Sequence, residues 1–137
     1  ILKNYKFMKI LSEISIGELL DKISILEIKM EKIKDNTKRE EVKKEYDILK
    51  KIQSDSIEIT GELKKLFDSL KKVNSIMWDI EDKVRICEKN KNFGEEFIEL
   101  ARGVYFNNDK RSRIKLEINK KLNSNLVEVK EYVDYEN

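Results

Sequence analysis

The chain has 137 residues, with no proline, no histidine, four glycines and 41% charged residues. Its 29 Lys+Arg are offset by 27 Asp+Glu to a net charge of +2, and the two signs interleave, so a nucleic-acid partner is disfavoured. Without histidine there are no imidazole acid–base chemistry, no His-based triads and no ordinary zinc sites; any metal would be a hard cation on oxygen ligands.

Residues 1–7 read as upstream or added sequence, with Met8 as the natural start. Residues 10–14 are apolar-rich and expected to be extended. A first helix is expected from Ser15, whose capping-box spacing to Glu18 lets each side chain serve an orphan amide, and it runs to about residue 34. Its seam is Ile16, Leu19, Ile23, Leu26, Met30 and Ile33, with Glu18, Asp21, Ile25 and Ile28 lying away from it. Thr37 and Glu40 repeat the capping signal for a second, outer helix to about residue 53, with Val42, Tyr46, Leu49 and Ile52 facing inward.

A third helix is expected over residues 62–89. Leu63, Leu66, Leu70, Val73, Met77, Ile80, Val84 and Cys87 make an unbroken heptad seam along it, and Trp78, Asp79, Asp82, Arg85 and Ile86 project from the opposite flank. A helix covered along one stripe does not ordinarily place Trp and Ile opposite, so a second surface is expected there. The fourth helix is expected over residues 95–122. Its seam is interrupted by Asn107, Asn108 and Arg111, flanked by Arg102, Tyr105 and Asp109. The tail from residue 123 alternates apolar and charged residues, as a short strand or an extended strap would. The sum is one all-α domain over residues 1–137: an antiparallel four-helix bundle of two helical hairpins, with a short extended N-terminal segment and a C-terminal tail.

Cys87 sits on the seam as a small buried hydrophobe. One cysteine permits no disulfide within the chain, in agreement with a cytoplasmic protein, and no apolar run approaches the roughly 18 residues of a membrane span. The second faces predict a homodimer or a helical protein partner.

Two chemical readings compete for the polar residues. In the first, a helical binding or interaction module uses Glu18, Asp21, Lys22, Trp78, Asp79, Asp82, Arg85, Arg102, Tyr105, Asn108, Asp109 and Arg111. Folding the fourth helix back on the third sets Tyr105 near Asp79, Arg102 near Asp82 and Asp109 near Asn74, as a structural polar network or a ligand pocket. In the second, the pairs Glu18/Asp21 and Asp79/Asp82, each spaced i,i+3, hold Mg²⁺ for a hydrolase or transferase acting on a nucleotide or sugar phosphate. That arrangement is loosely similar to the all-α nucleotide pyrophosphohydrolases. The binding module, without a cofactor and without catalysis, is the preferred reading.

Three stretches resemble a bacterial family of short proteins, domain of unknown function 6165. They are ISIGELLDKISILEIK (residues 14–29), VNSIMWDIEDKVRICE (73–88) and FIELARGVYFNND (97–109), and the tail LVEVKEY (126–132) resembles the family's ending. The resemblance spans residues 8–135. It implies no particular reaction, but it suggests a link to cell-surface polysaccharide synthesis. The chain departs from the family pattern at Gly103, where Ser is usual, and at Phe106, where a polar residue is usual. A helical glycine costs about 1 kcal/mol relative to Ala, so a close backbone approach is expected at Gly103.

Overall fold

The structure is a computed structural model that describes residues 7–136, so the reading of residues 1–7 as added sequence falls, but for Phe7, outside it. Four helices carry the fold: α1 (Ile16–Lys32), α2 (Asn36–Ser56), α3 (Gly61–Lys89) and α4 (Glu95–Lys121). Among the described residues there is no strand, and residues 7–14 and 125–136 have no helix. The protein is thus an all-α bundle of two helical hairpins, α1–α2 and α3–α4.

The bundle is organised around α1, which packs against each of the other three helices, whereas α2 packs on α1. This explains why the apolar residues of α1 are not confined to one stripe. Gly17, Leu19, Leu20, Asp21, Ile23, Ser24, Leu26 and Ile28 are all buried, on more than one side of the helix. Leu19, Leu20 and Ile23 join Leu63, Phe67 and Leu70 of α3 and Ile118 of α4 in the main core. In α2 Gln53 is the buried residue, and Ile52, expected to face inward, is 48% exposed. The Gln53 side chain takes the inward place because its Nε2 donates to Ile57 O at 2.6 Å, closing the end of the helix.

Both α3 and α4 end in Schellman turns with a non-glycine residue in the left-handed region. Lys91 has φ 53° and Asn92 N donates to Cys87 O at 2.9 Å; Asn123 has φ 52° and Ser124 N donates to Asn119 O at 2.8 Å. The second turn matters most, because it brings Ser124 back to the start of α1. There the orphan amides are satisfied one by one. Ile16 N donates to Ser124 Oγ (3.1 Å), Gly17 N to Asn119 Oδ1 (2.7 Å) and Glu18 N to Ser15 Oγ (3.1 Å), before Leu19 N to Ser15 O (3.1 Å) begins the regular helical bonds. Ser15 caps as expected, but the Glu18 carboxylate does not return to the Ser15 amide; it turns to Lys115 of α4 instead. For α2 the cap is Asp35, which accepts from Lys38 N at 2.9 Å, and the Thr37–Glu40 spacing falls inside the helix.

Gly17 has a spatial requirement of its own. A Cβ there would stand 2.6 Å from Lys115 O and 3.0 Å from Asn119 Oδ1, so α1 and α4 touch backbone to backbone at this point. Gly103 marks the corresponding approach of α3 and α4: Ile80 Cδ1 lies 3.0 Å from where its Cβ would be. The neighbour at Gly103 is thus a side-chain tip and not the backbone expected there, and the contact agrees with the register expected of the α3–α4 hairpin.

Candidate functional site

Where α1 crosses α3 and α4, charged side chains enter the interior. Asp21 is 1% exposed and receives Asn74 Nδ2 at 2.9 Å on one oxygen; the other lies 3.1 Å from Arg111 Nη2 and 3.8 Å from Lys115 Nζ. Asn74 spends its second amide proton on Ser24 Oγ at 2.8 Å, and Ser24 donates to Asp21 O at 2.8 Å. Lys115, 5% exposed, donates to Glu18 at 2.7 Å and to Glu128 of the tail at 2.9 Å. Burial alone would lower the lysine pKa, but the carboxylates of Glu128, Glu18 and Asp21 outweigh it and hold the ammonium above its usual range. The Glu128 carboxyl is correspondingly held below the usual carboxylate range, chiefly by the hydrogen bond from Lys115. One buried network therefore ties three helices and the tail together.

The twelve residues singled out in the sequence separate into distinct surroundings. Glu18, Asp21 and Arg111 belong to the network just described, and Lys22 stands outside it at 3.9 Å from Glu18. Trp78, Asp82, Arg85 and Arg111 line an open groove of about 490 Å³ between α1 and α3, with Ile25, Ile28, Asn74, Met77 and Glu81 as its other walls. Arg102, Tyr105, Asn108 and Asp109 line a second groove of about 750 Å³ on the far side of α4, under the tail residues Tyr132, Val133 and Tyr135. Asp79 lies apart from both, exposed and 3.9 Å from Lys32.

The expected cluster of α4 polar groups with Asp79 and Asp82 is therefore not formed, although the hairpin register behind it is right. Arg102 pairs within its own helix with Glu99 at 2.9 Å, and Asp109 receives the Tyr135 hydroxyl. The physical reason is rotation rather than register: Arg102, Tyr105 and Asp109 lie on the side of α4 that faces the tail, not the side that faces α3. Tyr135 also packs edge-on against Tyr105 and Phe106, with centroids at 5.5 and 5.4 Å, and the Arg102 guanidinium sits 5.5 Å from the Phe106 ring centre. Phe106, out of place in a polar pocket, is at home in this aromatic one.

Glu18, Asp21, Asp79 and Asp82 are likewise not gathered. Among the described residues no group of three or more acidic or cysteine side chains is placed to hold a metal ion, and Glu18 and Asp21 are already engaged by Lys115 and Arg111. Trp78, on the flank where a second surface was expected, is half-buried, because it forms a wall of the groove that it shares with Ile25 and Ile28.

Lys115, Asn119, Ser24 and Glu128 were missed by sequence reasoning, and Asn74, expected near Asp109, meets Asp21 and Ser24 instead. A signal existed: Gly17, Asp21 and Ser24 recur at helical spacing on α1, and Arg111, Lys115 and Asn119 recur every four residues on α4. Two such polar stripes predict a mutual interface.

Among the described residues no helix is long and apolar enough to cross a membrane. No curated protein and no solved structure matches the chain. A family model does match it over residues 8–135: the chain belongs to the family of unknown function DUF6165.

Proposed function

We propose that the protein is a cytoplasmic binding module and that its ligand enters the groove beside Trp78. The observation that carries this reading is the setting of Arg111. Its side chain is 27% exposed, anchored from behind by the buried Asp21 carboxylate, and among the described residues it makes that ion pair and no hydrogen bond. A guanidinium has five donors in a planar fork, so Arg111 presents a fixed cation with unused donors at the edge of an open groove. In the same groove the indole of Trp78, with Ile25, Ile28 and Met77, offers an apolar wall. Glu81 and Asp82 add acceptors, and Arg85 is held by Glu81.

A ligand suited to these groups has hydroxyls, one flat apolar face and one carboxylate or phosphate. An acidic or phosphorylated sugar has all three, which agrees with the link to cell-surface polysaccharide synthesis that the family resemblance suggests.

The lone tryptophan makes the test direct, since a ligand in this groove must alter indole emission. Titration with sugar phosphates and nucleotide sugars is expected to give a saturable emission change, and a matching rise in thermal stability by mass action. Trp78→Leu should abolish the stabilisation. A ligand that stabilises Trp78→Leu as well as the parent chain, or the absence of any saturable response across these compounds, overturns the proposal.

A further inference from the structure

The α3–α4 hairpin is longer than the helix that covers it. α1 has 17 residues and α3 has 29, or about 26 Å against about 43 Å at the usual rise. The Lys32–Asp79 pair is the last ion pair or hydrogen bond from α1 to α3 among the described residues. Beyond it the hairpin projects as two helices. Its inner seam closes on Cys87, 3% exposed, but one outer face keeps apolar residues in the open: Ile76 is 40% and Ile86 55% exposed. Ile80, Lys83, Ile86, Glu96, Glu99 and Leu100 form a shallow trough of about 410 Å³ on that face. α1 lies on the other side of the hairpin, against Asn74 and Trp78.

The charges around the trough are segregated. Lys83, on the α3 edge, has no ion-pair partner among the described residues, in a surface where most neighbouring lysines and arginines have one. Glu96, on the α4 edge, has none either; its contact is with Asn92. Glu99 stands beside it, paired on its other side with Arg102 of its own helix. Ile80 seated on Gly103 fixes the register, so that Lys83 stands level with Leu100 and Glu99.

We propose that this face binds a second copy of the chain, as a homodimer whose two-fold axis runs along the hairpin. That axis lays each α3 over the α4 of the other copy at the same height. Leu100 of each copy then packs between Ile80 and Ile86 of the other, and Lys83 meets Glu96 and Glu99 of the partner subunit, twice by symmetry. An axis across the hairpin would stack like helices on each other and leave the charges unmatched. The contact makes a four-helix arrangement at the projecting end, covering the hairpin there as α1 covers it at the other end.

Sedimentation of the full chain at up to about 100 µM, where a small interface is populated, is expected to show association of the 16.3 kDa protein to twice that mass, weakened by salt. Lys83→Glu alone, and Glu96→Lys with Glu99→Lys, should each weaken the dimer by about tenfold or more. Mixing these two variants should restore it, as should combining all three substitutions in one chain, since each repulsion becomes an attraction. The substituted side chains are exposed, and unchanged melting of the monomer would confirm that the fold is intact. A monomer throughout the concentration range overturns the proposal, as does a dimer that ignores the charge reversals.

Discussion

The two ends of the α3–α4 hairpin share one heptad seam and live in different surroundings. At the end near Leu63 and Ile118, α1 lies across both helices and buries Asp21, Ser24, Asn74, Lys115 and Asn119 with the apolar core. At the other end Cys87 is buried, but Ile80, Val84 and Leu100 are only half-covered and Ile86 is open. A seam records that a helix is covered along a stripe; it does not say how many helices do the covering. The polar residues carry that information. Charged and amide groups are tolerated inside only where a third helix arrives with partners for them, so the buried network marks the three-helix end.

The largest effect should come from removing the centre of that network. Lys115→Ala leaves Glu18, Asp21 and Glu128 without the ammonium they share, and should cost about 2–4 kcal/mol in chemical denaturation, somewhat less than a fully stripped buried charge because Asp21 keeps Arg111 and Asn74. A loss below about 1 kcal/mol would show that the network is wetter than its burial implies, and the contrast between the two ends would weaken.

The glycines sharpen the contrast. Gly17→Ala drives a methyl against the Lys115 carbonyl, which is backbone and cannot turn aside, so a loss of about 1–3 kcal/mol is expected. At Gly103 the obstacle is the tip of the Ile80 side chain, which can move. Gly103→Ala also recovers about 1 kcal/mol of helix propensity, so its net effect should stay within about 1 kcal/mol of zero. Equal losses at the two positions would mean that the projecting end is as tightly packed as the other.

Much of the fold was legible because its signals are local. The helix ends at Ser15, Lys89, Glu95 and Lys121 follow from capping groups, turn residues and periodicity, and the register of α3 against α4 follows from the short turn between them. The centrality of α1 was not legible, because amphipathicity measured along one helix cannot count its neighbours. The site was legible as a set of residues and not as a set of contacts. Arg102, Tyr105, Asn108 and Asp109 do line one groove, and Trp78, Asp82, Arg85 and Arg111 another. What separated them was rotation about the α4 axis, at 100° per residue, together with the path of the tail, which no periodic pattern encodes.

The smallest expected effect lies where the tail is pinned to the outside of α4. Its inner pin, Glu128 on Lys115, belongs to the buried network, whereas its outer pin is the hydrogen bond from the Tyr135 hydroxyl to Asp109, with the Tyr135 ring 43% exposed. That bond requires the phenol proton, and the neighbouring carboxylate pushes the Tyr135 pKa from 10.0 up to about 12. A raised folded-state value gives a contribution that is fully present below the unfolded value, near pH 10, and is lost as the pH rises through about 12. The outer pin should therefore release late in an alkaline titration. Tyrosinate absorbance can follow it: Tyr135→Phe should remove the last tyrosine ionisation, near pH 12, and leave the earlier steps in place. Asp109→Asn removes the charge while keeping an acceptor, and should bring the Tyr135 step back toward pH 10 with little change in the melting of the helical core. Loss of an ordinary step near pH 10 in Tyr135→Phe would mean that the outer pin is not made in solution. The second groove would then lie open, with Tyr105 and Phe106 exposed on the outside of α4.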